Sequence, residues 1–153
     1  MSLDGIKIIA KNKKAYFNYT VEEDIECGIV LQGTEVKSVR AGKISFPDAF
    51  AEIIEDEVWL KNMSISEYVY SSFFNHDTFR PRKLLLHRDE IKRLNRKVQE
   101  KGFTLIPLLF YLKRGRLKVK LGLCKGKKLY DKREDIKARD IKRDIQREIR
   151  AGN

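Results

Sequence analysis

The spacing of apolar residues along the chain changes character several times, and each change marks an element. Tyr16, Phe17, Tyr19 and Val21, followed by residues 25–31, form a run rich in β-branched and aromatic types that reads as strand, preceded by a short basic lead-in over residues 1–14. Gly33 and Thr34 break this pattern. Thr34 is placed to cap a short helix with Glu35 in its first turn, and Gly42 supplies the stop signal. That helix is expected to bury Val36 and Val39 while Lys37, Arg40 and Lys43 project to solvent. Two strands around residues 50–54 and 58–63 flank Glu55-Asp56-Glu57, which reads as a hairpin turn, and the mixed polar and aromatic residues 64–81 read mostly as loop. Residues 89–101 are the clearest helix: Ile91, Leu94 and Val98 share one face, acids open it and Lys101-Gly102 closes it. Apolar strands over 103–112 and 117–123 follow, joined by the basic turn Lys113-Arg114-Gly115-Arg116, with Pro107 marking an edge or a bulge.

Short strands interrupted by two helices, without strand–helix–strand alternation, predict a mainly β fold: a small antiparallel OB-type barrel with appended short helices over residues 1–124. Residues 125–153 differ in kind. Ile141, Ile145 and Ile149 recur every fourth residue, too narrow a stripe to hold a helix on a core, among eleven basic and six acidic side chains. Such a basic tail is expected to be loose when free and helical against a charged surface.

Charge changes the picture more than composition does. The chain carries a formal +11, yet residues 1–76 sum to −4 and residues 77–153 to +15. A one-sided excess is the footprint of a polyanion, whether nucleic acid, acidic lipid or acidic protein. Two segments concentrate it. Arg80-Pro81-Arg82-Lys83 runs into Leu84-Leu85-Leu86, so the leucines can anchor the segment while the cations, Arg82 and Lys83 among them, face outward. Residues 113–128 hold eight basic side chains and no acid, and on a strand Arg116, Lys118 and Lys120 share one face opposite Leu117, Val119 and Leu121. Together these predict a surface that tracks phosphates, with Tyr70, Phe73, Phe74 and Phe79 available to stack on bases or to pack on the barrel.

Catalytic chemistry is thinly represented. Asn75-His76-Asp77 lacks a nucleophile and reads as turn or RNA-contact chemistry, and His87 reads as a helix cap or contact. Gly126-Lys127-Lys128 lacks the upstream glycine and following hydroxyl of a phosphate loop. Cys27 and Cys124 lie in apolar runs and read as buried reduced thiols, and two Cys and two His far apart show no zinc-ligand spacing. No apolar run reaches the ~18 residues of a membrane span, and the N-terminus lacks a signal-peptide pattern, so a cytoplasmic protein without metal or cofactor is expected.

A set of motifs in fixed order then stands out: Lys11-Asn12-Lys13-Lys14-Ala15, Glu26-Cys27-Gly28-Ile29-Val30-Leu31, Gly33-Thr34-Glu35-Val36-Lys37-Ser38, Arg40-Ala41-Gly42-Lys43, Asn75-His76-Asp77, Arg82-Lys83-Leu84-Leu85-Leu86, and Lys125-Gly126-Lys127-Lys128 leading to Asp131-Lys132-Arg133. In this order and at these separations they resemble the small protein B family, the tmRNA-binding (SsrA-binding) proteins of bacterial trans-translation. The resemblance implies an OB-type barrel that clasps the tRNA-like domain of tmRNA, and delivery to stalled ribosomes in a complex with a translation elongation factor. It further implies a tail that occupies the empty mRNA path beside small-subunit rRNA at the decoding centre. It implies a positioning factor rather than an enzyme. Carried over residue by residue, it assigns tmRNA binding to Glu26, Leu85 and Lys118, and a contact to His87, where some members have asparagine. Gly126, Lys127, Lys128, Asp131, Lys132 and Arg133 match the tail segment used on the ribosome, with Tyr130 in a position to stack on a base. The alternatives from the residues themselves are a general single-strand RNA-binding or ribosomal protein, and a small RNA-processing enzyme built on His76, Asp77 or His87.

Overall fold

The structure, a computed structural model, describes residues 2–3, 5–46, 48–70 and 75–126. Strands β1 (Ser2–Leu3) and β2 (Ile6–Lys11) lead into helix α1 (Lys13–Asn18), β3 (Tyr19–Ile29) and α2 (Gly33–Arg40). Then come β4 (Ile44–Ser45), β5 (Phe50–Ile54), β6 (Glu57–Lys61), β7 (Ser64–Ile65), β8 (Arg82–Leu85), α3 (Arg88–Lys101), β9 (Thr104–Lys113) and β10 (Arg116–Gly126). Every pairing is antiparallel. The order β9-β10-β3-β8-β6-β5 closes on itself because Ala51 of β5 meets Leu105 of β9, and β2 and β1 extend from the other half of the β9 edge. The expected small antiparallel barrel with short helices is thus the architecture found, and the pairs β5–β6 and β9–β10 are hairpins whose turns sit at Glu55-Asp56 and Arg114-Gly115, all four residues with positive φ. β10 continues past residue 124, with Lys125 opposite Thr20 and Gly126 opposite Tyr19. Residues 127–153, which contain the rest of the tail, lie outside the described residues.

Three local expectations change. The basic lead-in contains two strands. Tyr16 and Phe17 sit in helix α1, not in a strand, because Asn12 caps it: its side-chain oxygen accepts from the Ala15 N–H at 3.1 Å. The Asn12 backbone and side-chain amides also donate to the Leu108 and Pro107 carbonyls, both at 2.8 Å, where the edge of β9 passes from β2 to β5. There Pro107 marks a bulge that skips Leu108 in the β10 register. The bulge exchanges the two faces of β9. Leu105 before it and Phe110 after it both enter the main core, while Ile106 and Leu108 join Ala15 and Cys124 in a second small core under α1. Two-sided burial is why residues 103–112 read as continuously apolar. Gly122 is required opposite the bulge, since a Cβ there would lie 2.7 Å from a Leu108 methyl. Both cysteines are buried and unpaired, and desolvation pushes the Cys27 thiol up to about 12 and Cys124 up to about 11.

The third change concerns α2 and β8. Helix α2 begins at Gly33 with Gln32 as its cap residue, whose N–H donates to Glu35 Oε1 at 2.7 Å; Thr34 instead bonds His76. Glu35, Ser38 and Val39 are buried, whereas Val36 is half-buried. Arg82 does not face outward. Alternation along β8 directs Arg82 and Leu84 inward and leaves Lys83 and Leu85 outside. The Arg82 guanidinium, fully buried, donates to Glu35 Oε2 from Nε (2.8 Å) and approaches the same oxygen with Nη2 (2.6 Å). Its remaining donors reach the carbonyls of Met63, Asp77 and Thr78 at 2.8, 3.2 and 3.1 Å. Arg80 adds a second guanidinium to the same carboxylate, with Nη2 at 2.5 Å from Oε1. Burial alone would raise the Glu35 carboxyl, but bonds from Arg80, the Gln32 N–H and Arg82 outweigh it and hold it below its ordinary 4.5.

This arrangement sets an acid limit on stability. A carboxyl whose folded pKa is depressed stabilises fully above its unfolded value and loses that contribution as pH falls through the folded one. Urea unfolding is expected to show stability declining below pH 4.5. Glu35→Gln, which leaves Arg82 buried without a counter-charge, is expected to cost about 3–5 kcal/mol at neutral pH and to flatten that acid limb. A neutral-pH stability equal to the parent's would contradict the role assigned to the pair.

Candidate nucleic-acid interface

Strand register brings residues far apart in the chain into one row. Tyr111 of β9, Lys118 of β10, Gly28 of β3 and Leu85 of β8 are successive cross-strand partners, and Glu26 stands two residues from Gly28 on the same face, opposite Lys120. Gly28 lets Leu85 lie over the sheet, because a Cβ there would already touch Leu85 at 3.4 Å. Leu85 is half-exposed on the barrel surface, an unusual place for leucine that its neighbours explain: it borders a groove of about 360 Å³ floored by Gly28, Ile29, Val36 and Leu117 and rimmed by Arg40, Arg116 and Lys118. The Lys113–Arg116 turn extends this basic rim towards Glu26.

Glu26 is held rather than free. The hydroxyl of the buried Tyr111 donates to its Oε1 at 2.7 Å and Lys113 Nζ to the same atom at 3.3 Å, while Oε2 of this exposed residue has no hydrogen-bond partner among the described residues. The Tyr111 bond, followed by Lys113, keeps the Glu26 carboxyl below its ordinary 4.5, so it is an anion with an open acceptor oxygen in a basic surface. The same arrangement, with desolvation as its largest cause, raises the Tyr111 phenol.

Of the other anticipated residues, Arg116, Lys118 and Lys120 do share the outer face and carry no ion pair among the described residues. Lys83 is on the outside but is paired with Glu57 at 3.0 Å. Arg82 is withdrawn from the surface altogether, and Arg80 pairs with Glu35. His87 is exposed at the N-cap of α3, where its backbone N–H donates to Glu90 at 2.9 Å, two residues after Leu85. Gly126 ends β10, and Lys127, Lys128, Tyr130, Asp131, Lys132 and Arg133 lie outside the described residues, as do Phe73 and Phe74. His76 and Asp77 form no dyad. His76, nearly buried, has Nε2 at 2.8 Å from the Ile65 carbonyl and Nδ1 at 2.9 Å from the Thr34 hydroxyl, whereas the Asp77 carboxylate accepts the Phe79 N–H at 3.0 Å. Among the described residues no group of His, Cys, Asp and Glu is arranged to hold a metal, and no helix is long and apolar enough to cross a membrane. Tyr111, Arg40 and Val36 were not anticipated at the site; register across strands places Tyr111 there, and the seat of α2 on the barrel places Val36 and Arg40.

Comparison with known proteins identifies the family. The family model described as SmpB protein matches residues 9–151. The chain belongs to the SmpB family. An SsrA-binding protein of Treponema denticola is 74% identical over 98% of this chain and 97% of its own, and that of Borreliella burgdorferi 54% over 94% and 95%. Among solved structures, an SmpB chain described in the words "tmRNA-SmpB: a journey to the center of the bacterial ribosome" is 46% identical, with a TM-score of 0.68 over 90% of this chain and 96% of that one. SmpB relatives are thus matched along nearly the full chain, beyond the barrel itself.

The Glu26–Tyr111 bond is directly testable. In Tyr111→Phe the Glu26 carboxyl is expected to titrate nearer its ordinary 4.5 than in the parent chain, as read by carboxyl-carbon NMR. An unmoved titration would mean that the phenol does not hold the carboxylate.

Proposed function

We propose that this chain is the RNA-binding cofactor of trans-translation in its cell: it binds the tRNA-like domain of tmRNA through the β10–β3–β8 surface and accompanies it to stalled ribosomes. The observation that carries the reading is the cross-strand row Lys118–Gly28–Leu85 with Glu26 beside it, a geometry that sets Glu26, Leu85 and Lys118 on one face of the barrel. Each has a chemical task. Lys118, with Arg116 and Lys120, neutralises phosphates. Leu85 offers an apolar surface to a ribose or base face. Glu26 accepts from base amino groups or a 2′-OH, a selection that cations alone do not supply. His87, at the mouth of α3, borders the same RNA. The segment after Gly126 carries the ribosomal role: Lys127, Lys128, Lys132 and Arg133 follow rRNA phosphates, Tyr130 stacks, and Asp131 orients its neighbours in the empty mRNA path at the decoding centre. A translation elongation factor completes the delivery complex, the site of action is the cytoplasm, and the protein positions RNA without catalysing a reaction.

Lys118→Ala is expected to weaken tmRNA binding and to lower the slope of log affinity against log salt by about one, measured by filter binding over a salt series. Glu26→Gln is expected to weaken binding although it makes the surface more positive, the reverse of what pure charge attraction predicts. Deleting residues 127–153, which spares all of β10, is expected to leave tmRNA affinity near the parent's while abolishing peptide tagging in a reconstituted translation assay. Equal loss of both would refute the division of labour.

A further inference from the structure

The segment between β7 and β8 carries a feature outside the groove. Its base is locked by polar groups. The Asn75 side chain accepts from the Tyr68 N–H and donates to the Tyr68 carbonyl, both at 3.0 Å, and His76 ties the next position to Ile65 and Thr34. Above this base Val69 and Tyr70 are 81% and 82% exposed, so they add little to folding. The Tyr68 ring is flanked by Lys37 Nζ at 5.4 Å and by Tyr70, edge-on at 5.5 Å and 69°, so the cation and the exposed Tyr70 ring both meet the same Tyr68 ring. Helix α2 links this loop to the groove: Val36 and Arg40 line the groove, and Lys37, the next residue round the helix, meets the loop. Lys37, Arg40 and Lys43 are all exposed here, against the acids Glu67 and Asp77 in the described part of the loop.

We propose that Tyr70 is a stacking platform for an unpaired base of the same RNA that lies in the groove, with the Lys37 ammonium beside its phosphate. The proposal rests on the groove being an RNA site. The occupant is the groove's RNA because α2 is shared by both places and its exposed side chains are cationic. An aromatic face with a neighbouring cation recognises an unpaired nucleotide through stacking and charge, without selecting the base.

The test uses the full chain and a tmRNA transcript in filter binding over a salt series, with Tyr70→Ala, Tyr70→Trp and Lys118→Ala. Tyr70→Ala is expected to weaken binding roughly five- to a hundredfold at every salt concentration with the slope unchanged, because a neutral ring releases no counterions, and Tyr70→Trp is expected to restore it. Parent-like affinity of Tyr70→Ala would overturn the proposal, as would failure of Tyr70→Trp to rescue. So would a variant that binds tmRNA normally yet no longer co-sediments with ribosomes, which would make the loop a contact for another partner. Lys118→Ala separates the two readings: if it binds as the parent does while Tyr70→Ala loses affinity, the groove assignment fails and the stacking loop stands.

Discussion

A carboxylate and two guanidiniums out of water are the constraint on which much of this molecule depends. Glu35 comes from α2, Arg82 from β8 and Arg80 from the loop before it, and Arg82 also donates to the Met63 carbonyl between β6 and β7 and to the Asp77 and Thr78 carbonyls of the β7–β8 connection. A fully buried arginine costs several kcal/mol to desolvate unless its charge is matched and its N–H groups are bonded, and here both conditions are met by groups that must come from α2, the β6–β7 turn and the β7–β8 loop at once. The network therefore specifies where α2 lies on the barrel, how β8 enters the sheet, and how the long β7–β8 connection returns. The groove and the aromatic loop flank α2, so both inherit their position from this buried ion pair.

The same network revises the meaning of the charge asymmetry. Six cations of the basic half, Arg80, Arg82, Lys83, Arg93, Lys97 and Lys113, pair with acids of the first 57 residues. Glu23 alone fastens Arg93 and Lys97 of α3 to β3, both at 2.8 Å. Part of the excess is thus spent within the fold, across the two halves. Of the nine such cations that remain among the described residues, Arg116, Lys118 and Lys120 share one outer face of β10, beside a groove whose apolar floor a phosphate-binding surface does not need but a nucleotide-binding one uses.

Glu26 shows how an acid belongs in such a surface. Its ionisation is kept by a phenol beneath it and an ammonium beside it, and its second oxygen is left for an incoming donor. In the proposed function, affinity would come from cations and orientation from a fixed acceptor, the division expected of a protein that recognises one folded RNA among many.

Local signals were sufficient for much of this. Alternation, turn residues and a 3.6-residue stripe with a glycine stop located α3, both hairpins and the barrel class, because each depends on residues close in sequence. The outward face of Arg116, Lys118 and Lys120 was legible for the same reason, and the ordered motifs identified the family. Arg82 was not legible: in Arg-Pro-Arg-Lys-Leu-Leu-Leu nothing local says that a cation is buried and a leucine exposed, since the register of β8 against β3 and β6 decides the face and Glu35, 47 positions earlier, makes burial affordable. Tyr16 and Phe17 looked like strand because their β-propensity is real; the Asn12 cap, held by the β9 bulge, overrides it. Tyr111 beneath Glu26 was hidden for a third reason, being 85 positions away and meeting it only through β10. Sequence alone determined most of the elements, the family and the sign of the surface. Tertiary structure decided which charges reach that surface, because burial and pairing are properties of neighbours that chain order does not contain.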